Sequence, residues 1–150
     1  MSVKSHFSEE QKLQITNAIR VAETNTSGEI RVHIEKHCKE DVLDRAAYIF
    51  EKLEMHKTEL RNGVLFYLAL EDRKFAILGD AGINQKVSEN FWDEIKEEVV
   101  SKFKDGLFAK GLSEGIIKAG EQLKTHFPYQ EDDENELSDD ISFGEEKGKK

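Results

Sequence analysis

The sequence predicts an α/β protein: a small mixed sheet with helices on both faces. Three observations carry that prediction. Apolar residues recur at helical spacing in four stretches, near residues 8–24, 41–54, 88–104 and 108–126. Over residues 29–35 the period drops to two, the alternation of a strand. The unbroken apolar run 64–70, a charged turn and the run 75–78 then read as a buried strand with its hairpin partner.

The elements follow in order. Ser8 and Gln11 have capping-box spacing, so the first helix is expected to begin there, with Leu13, Ile15, Ala18, Ile19 and Ala22 as its apolar stripe. Asn25, Thr26, Ser27 and Gly28 are turn residues and end it. In the first strand Ile30, Val32 and Ile34 face the core, and Glu29, Arg31, His33 and Glu35 are expected to face water. The second helix is expected to bury Leu43, Ala46, Ala47, Phe50 and Leu53.

Asn62 and Gly63 open the second strand, and Glu71 to Lys74 turn the chain into the third. A glycine-rich loop, 79–82, precedes the third helix, whose core face is Phe91, Ile95 and Val99, with Trp92 as a further candidate. Gly106 suits a left-handed cap after that helix. The last helix presents Leu112, Ile116, Ala119 and Leu123, and Pro128, the only proline, follows it. With a helix between them, the first two strands are expected to run parallel by a right-handed crossover, and the third to return antiparallel.

Composition bounds the function. The 150 residues carry a net charge of −9, but residues 131–150 hold nine acids and three lysines, leaving only −3 for the first 130. No basic stripe could neutralise a row of phosphates, which argues against nucleic acid as a partner. The longest apolar run is far short of the roughly 20 residues of a membrane helix, and the first residues lack an apolar signal core. The lone Cys38 has no internal disulfide partner. These features lead to the expectation of a cytoplasmic protein with no membrane partner. The chain is expected to divide into a folded domain, 1–130, and a disordered acidic tail, 131–150, whose few apolar residues cannot offset its ordering entropy. On that reading, cutting after Gln130 would leave the melting temperature nearly unchanged.

Three segments together resemble the TPM-domain family. They are Ser27-Gly28-Glu29-Ile30-Arg31-Val32, then Asn62-Gly63-Val64-Leu65 with Glu71-Asp72-Arg73, and then Gly79-Asp80-Ala81-Gly82-Ile83. Phe103 and Gly106 match as the aromatic and glycine closing the next helix. The resemblance spans about residues 8–127. It implies a three-layer α/β/α sandwich, divalent-cation binding in some members, and acid-phosphatase-like activity in some.

The expected topology brings these segments to one edge of the sheet. Glu29, Asn62 and Asp80 would offer hard oxygen ligands suited to Ca²⁺ or Mg²⁺. Gly63, Gly79 and Gly82 would let backbone N–H groups approach an anion such as a phosphate ester or nucleotide. The structural alternative makes all of them turn residues selected for backbone conformation. A rival site lies at the opposite edge, where parallel strands end, with His37, Glu40, Asp41, Glu71, Asp72 and Arg73. His33, His37 and Cys38 invite a zinc reading, but a fourth ligand has no obvious source. Cys38 to Arg45 is one residue too long for a cysteine-phosphatase loop, and no general base or nucleophile can be identified. Two function classes therefore stand: a weak metal-dependent phosphohydrolase, and a non-catalytic module that a divalent cation fixes for a protein partner.

Overall fold

The computed structural model describes residues 7–129 and 141–144. Helix α1 spans Glu9–Glu23, strand β1 Glu29–Glu35 and helix α2 Val42–Lys52. A 3₁₀ turn, Met55–Lys57, leads to β2, Gly63–Ala69, and β3, Lys74–Gly79. A single helical turn α3, Ala81–Asn84, precedes α4, Phe91–Lys104, and α5, Phe108–His126; β4 is Ser142–Phe143. The capping box at Ser8 forms as expected, with Gln11 N–H donating to Ser8 Oγ at 3.0 Å and Ser8 N–H to Gln11 Oε1 at 2.9 Å.

The sheet has the order β3-β2-β1-β4. Strands β1 and β2 are parallel, with Glu29 beside Gly63, and β3 returns antiparallel with Gly79 beside Val64. Helices α1, α4 and α5 cover one face, packing Ile19, Val99 and Ile116 against Ile30, Phe66 and Ile77. Helix α2 covers the other, packing Ala46, Ile49 and Phe50 against Leu65, Tyr67 and Ala76. This is the expected three-layer α/β/α sandwich, and the unpatterned β2 is buried on both faces because it lies between these layers.

Four details differ from the sequence reading. The outer face of β1 is not wet: Glu29, His33 and Glu35 are all buried, since α2 and the C-terminal segment close over that side of the sheet. Leu13, Leu43 and Ala47 are exposed, because the buried stripes of α1 and α2 run through Ile15 and Ile19, and through Ala46, Ile49 and Phe50. The glycine-rich loop contains a helical turn that Asp80 caps through its side chain.

The fourth difference is in the tail. Residues 141–144 are not a disordered extension. Ser142 and Phe143 pair in parallel with His33 and Ile34, Gly144 N–H donates to Ile34 O at 2.8 Å, and Ile141 and Phe143 pack against the larger core. The acidic run 131–140 carried the compositional argument, yet the short apolar motif after it finds the open edge of β1. The rest of the segment read as a disordered tail lies outside the described residues. Among the described residues, no helix is long and apolar enough to cross a membrane.

Candidate functional site

Strand register brings the three family-like segments together at the amino edge of β1 and β2. Glu29 N–H donates to Asn62 O at 3.4 Å, and Asp80 N–H to Gly63 O at 2.9 Å. The 26–28 turn is anchored by Thr26, whose hydroxyl donates to Leu123 O at 2.9 Å and accepts from Gly28 N–H at 3.1 Å. Ser27 N–H donates to Phe127 O at 2.9 Å, so the end of α5 holds this loop in place. Asn62 Nδ2 reaches Ser27 Oγ at 3.4 Å across the edge.

The side chains proposed as ligands are deeply placed: Glu29 is 2% exposed, Asn62 1% and Asp80 7%. A residue that the sequence reading missed, Arg61, changes the electrostatics. Its Nε lies 2.6 Å and its Nη2 2.8 Å from the two Asp80 oxygens, a bidentate pair. Asp80 Oδ1 also accepts from Ala81 N–H at 2.8 Å, capping α3. The Arg61 side chain itself is 50% exposed. Its backbone is left-handed, with φ at +52°, an uncommon setting for a residue with a Cβ.

Gly82 explains how that setting is kept. Its N–H donates to Arg61 O at 2.8 Å. A Cβ at Gly82 would lie 2.1 Å from Leu60 O and 2.6 Å from Arg61 O, both backbone atoms that cannot step aside cheaply. Gly82→Ala is therefore expected to push the 60–62 loop away from α3. A loss of roughly 2–3 kcal/mol, read by urea unfolding, together with shifts in the Asp80 and Arg61 amide resonances, would register this. A neutral substitution would show that the contact is not needed. The same geometry revises the role given to the glycine amides. Gly82 N–H is committed to Arg61, while Gly63 and Gly79 sit inside strands.

By type, the oxygens at this edge suit a hard cation: the Glu29 carboxylate on β1, the Asp80 carboxylate on the other side of β2, and the Asn62 amide. Their arrangement suits one only if Arg61 gives up Asp80, because the guanidinium holds both of that carboxylate's oxygens. Among the described residues, no group of three or more His, Cys, Asp or Glu side chains is arranged to hold a metal ion.

The carboxyl edge holds a second polar cluster. Asp72 ties this turn together: Oδ2 accepts from Cys38 N–H at 2.7 Å, and Oδ1 lies 3.1 Å from His37 Nδ1. The Cys38 amide first, and His37 second, hold its carboxyl below the usual range. Arg73 adopts a left-handed backbone, φ +56°, at the hairpin turn. Cys38 is buried, and its thiol donates to Glu40 O at 3.3 Å.

Beneath this turn, Glu35 accepts from Arg45 Nε at 2.7 Å, from Arg45 Nη2 at 3.0 Å and from the Tyr67 hydroxyl. His33 stacks on Tyr67 with ring centroids 6.0 Å apart, and its Nδ1 lies 2.9 Å from Ser142 Oγ. Burial opposes ionisation of Glu35, but the bonds from Arg45, His33 and Tyr67 outweigh it and leave its carboxyl well below the usual range. Burial and the neighbouring carboxylate push the Tyr67 phenol well above its ordinary value. One signal pointed to this network: Tyr67 stands in an otherwise aliphatic and aromatic strand, and a buried phenol requires a partner.

Comparison with known proteins places the chain. The TPM domain matches residues 3–122. The NMR structure of the BA42 protein from the psychrophilic bacterium Bizionia argentinensis is 48% identical, with a TM-score of 0.87, over 95% of this chain and 99% of that one. Two further solution structures share the fold at low identity. The N-terminal domain of a P. gingivalis protein is 19% identical, TM-score 0.69, over 83% of this chain and 82% of its own. The N-terminal domain of a Corynebacterium glutamicum protein is 13% identical, TM-score 0.66, over 86% and 82%. No curated protein matches. With four fifths of its length matched and a solved relative at 48% identity, the chain belongs to the TPM-domain family.

Proposed function

We propose that this TPM domain binds a divalent cation, Ca²⁺ or Mg²⁺, at the amino edge of its sheet, with Asp80 as the charged ligand and Asn62 and Glu29 beside it. Arg61 is the resident counter-charge that the cation replaces. The observation that carries this reading is the mismatch within the Asp80–Arg61 pair: the carboxylate is fixed and buried, and the guanidinium that neutralises it is half in water. An arginine with that much freedom can swing out, whereas the Asp80 carboxylate is tied to α3 by the Ala81 amide.

The test is a titration with Ca²⁺ and with Mg²⁺, following amide resonances in the wild type, Arg61→Gln and Asp80→Asn. Shifts are expected near Glu29, Asn62 and residues 79–82. Arg61→Gln removes the competitor and is expected to tighten binding about tenfold, equivalent to ~1.4 kcal/mol, while Asp80→Asn abolishes it. Binding that is unchanged in both variants, or shifts clustered at His37, Asp72 and Arg73, would overturn the assignment.

A phosphohydrolase is the second reading, and Arg61 favours it. Once released from Asp80, its planar fork is free at the rim to take two phosphate oxygens. A bound divalent cation supplies charge neutralisation for a phosphate ester and a more acidic water. No side chain at this edge stands out as a nucleophile, so the non-catalytic module, presenting cation-ordered loops to a protein partner, is the other form of the proposal. Hydrolysis of an activated phosphate ester decides between them. Turnover must require the divalent ion, disappear in Asp80→Asn and survive Cys38→Ala to support the enzyme.

A further inference from the structure

A cleft of about 640 Å³ opens on the side of the molecule away from Asp80, at the carboxyl end of β2 and the amino end of β3. Its floor is apolar and largely aromatic. Phe75 of β3 meets Phe103 of α4 edge-on with centroids 5.2 Å apart, and Phe103 meets Phe108 of α5 at 5.0 Å. All three line the cleft.

Its rim is cationic: Arg73 and Lys74 from the hairpin, and Lys96 and Lys104 from α4. Lys74 is held by the carbonyls of Cys38, at 2.9 Å, and Glu40, at 3.2 Å, which position it without neutralising it. Among the described residues, Arg73, Lys96 and Lys104 enter no ion pair. Asp93 and Glu97 line the adjoining groove along α4 with Lys96 and Lys104, but among the described residues no acidic one lines the cleft itself. In a chain of net charge −9, four cations around one apolar hollow run against the general surface.

Two features of the chain shape the hollow, one through space and one through charge. Gly106, with φ at +78°, makes the sharp turn between α4 and α5 and has open space where a side chain would project. Helix α5 then starts at the cleft with no side-chain cap and no acid in its first turn, so its positive end adds to the same field.

We propose that this cleft binds an amphipathic organic anion: an aromatic or aliphatic body of about ten carbons on the Phe75-Phe103-Phe108 floor, with a phosphate or carboxylate head among Arg73, Lys74, Lys96 and Lys104. The volume falls within the usual range for small-molecule sites. Neither half of the site suffices alone. The lysine ammonium groups are too strongly hydrated to hold a bare anion tightly, and an uncharged apolar ligand would leave the rim unmatched. This site is independent of the cation reading, with which it shares no residue.

The probe is the fluorescent aryl sulfonate 1-anilinonaphthalene-8-sulfonate, added to the intact chain. Saturable binding with enhanced fluorescence is expected, with chemical-shift changes confined to Phe75, Phe103, Phe108 and their neighbours. The pair Lys96→Glu with Lys104→Glu, both at exposed positions, is expected to weaken it at least tenfold while the melting temperature holds. Displacement by 1-naphthyl phosphate or by decanoate, but not by inorganic phosphate, supports the site, and whichever competes better identifies the head group. Affinity that stays within twofold in the charge-reversed variant overturns the proposal. So does displacement by inorganic phosphate alone, or shifts spread over the whole domain as in general surface adsorption.

Discussion

Replacing Arg45 by methionine is expected to lower stability at neutral pH by roughly 3 kcal/mol, the lower end of the range for breaking a buried ion pair. The lower end applies because the arginine side chain is 29% exposed, against 9% for Glu35. The loss comes from what remains. Glu35 would keep its bonds to Tyr67 and His33 but would lose the Arg45 guanidinium, the permanent charge that makes its own tolerable at that depth. Tyr67→Phe, which removes one neutral donor, is expected to cost less, about 1 kcal/mol.

The pH dependence separates this account from a simple packing defect. Folding depresses the Glu35 pKa below its ordinary 4.5. Stability from such a group is fully present above the unfolded value and is lost as pH falls below it, because the unfolded chain binds the proton more readily. In Arg45→Met the sign turns: an unpaired buried carboxyl prefers its proton, so mild acid relieves the variant. Urea unfolding at about pH 7 and about pH 4 should show the wild-type advantage shrinking in acid. An advantage that is the same at both values would mean that the Arg45 effect is packing by its aliphatic stem, not charge.

Cutting the chain after Gln130 is the second large effect, and here the structure reverses the expectation from composition. Truncation removes Ile141 and Phe143, both partly buried against the larger core, and the Gly144 N–H bond to Ile34 O. Half-burial of two such side chains is worth about 2 kcal/mol, which lowers the melting temperature of a domain this size by roughly 6 °C. It also leaves β1 as an edge strand, which favours pairing between copies. Amide exchange in β1 should rise, and Phe143→Ser alone should reproduce much of the loss. A truncated chain that melts within about 2 °C of the full one would show that β4 contributes nothing in solution.

Several features were legible in the sequence because they depend on near neighbours along the chain. Helical spacing set α5 at its observed limits, the Ser8–Gln11 box set the start of α1, and the unpatterned run 64–70 announced a strand covered on both sides. The convergence of Glu29, Asn62 and Asp80 on one edge followed from strand direction alone, and the register confirms that meeting. What only the tertiary structure decided are contacts between residues far apart in sequence. Arg61 binds Asp80 across 19 residues, Tyr67 reaches Glu35 across 32, and Ser142 meets His33 across 109. Alternating polarity in β1 means a wet face only if nothing else covers it. Here α2 and the last strand do, so Glu35 and His33, which read as solvated surface, join a buried network with Tyr67 and Arg45, and Arg45 neutralises Glu35.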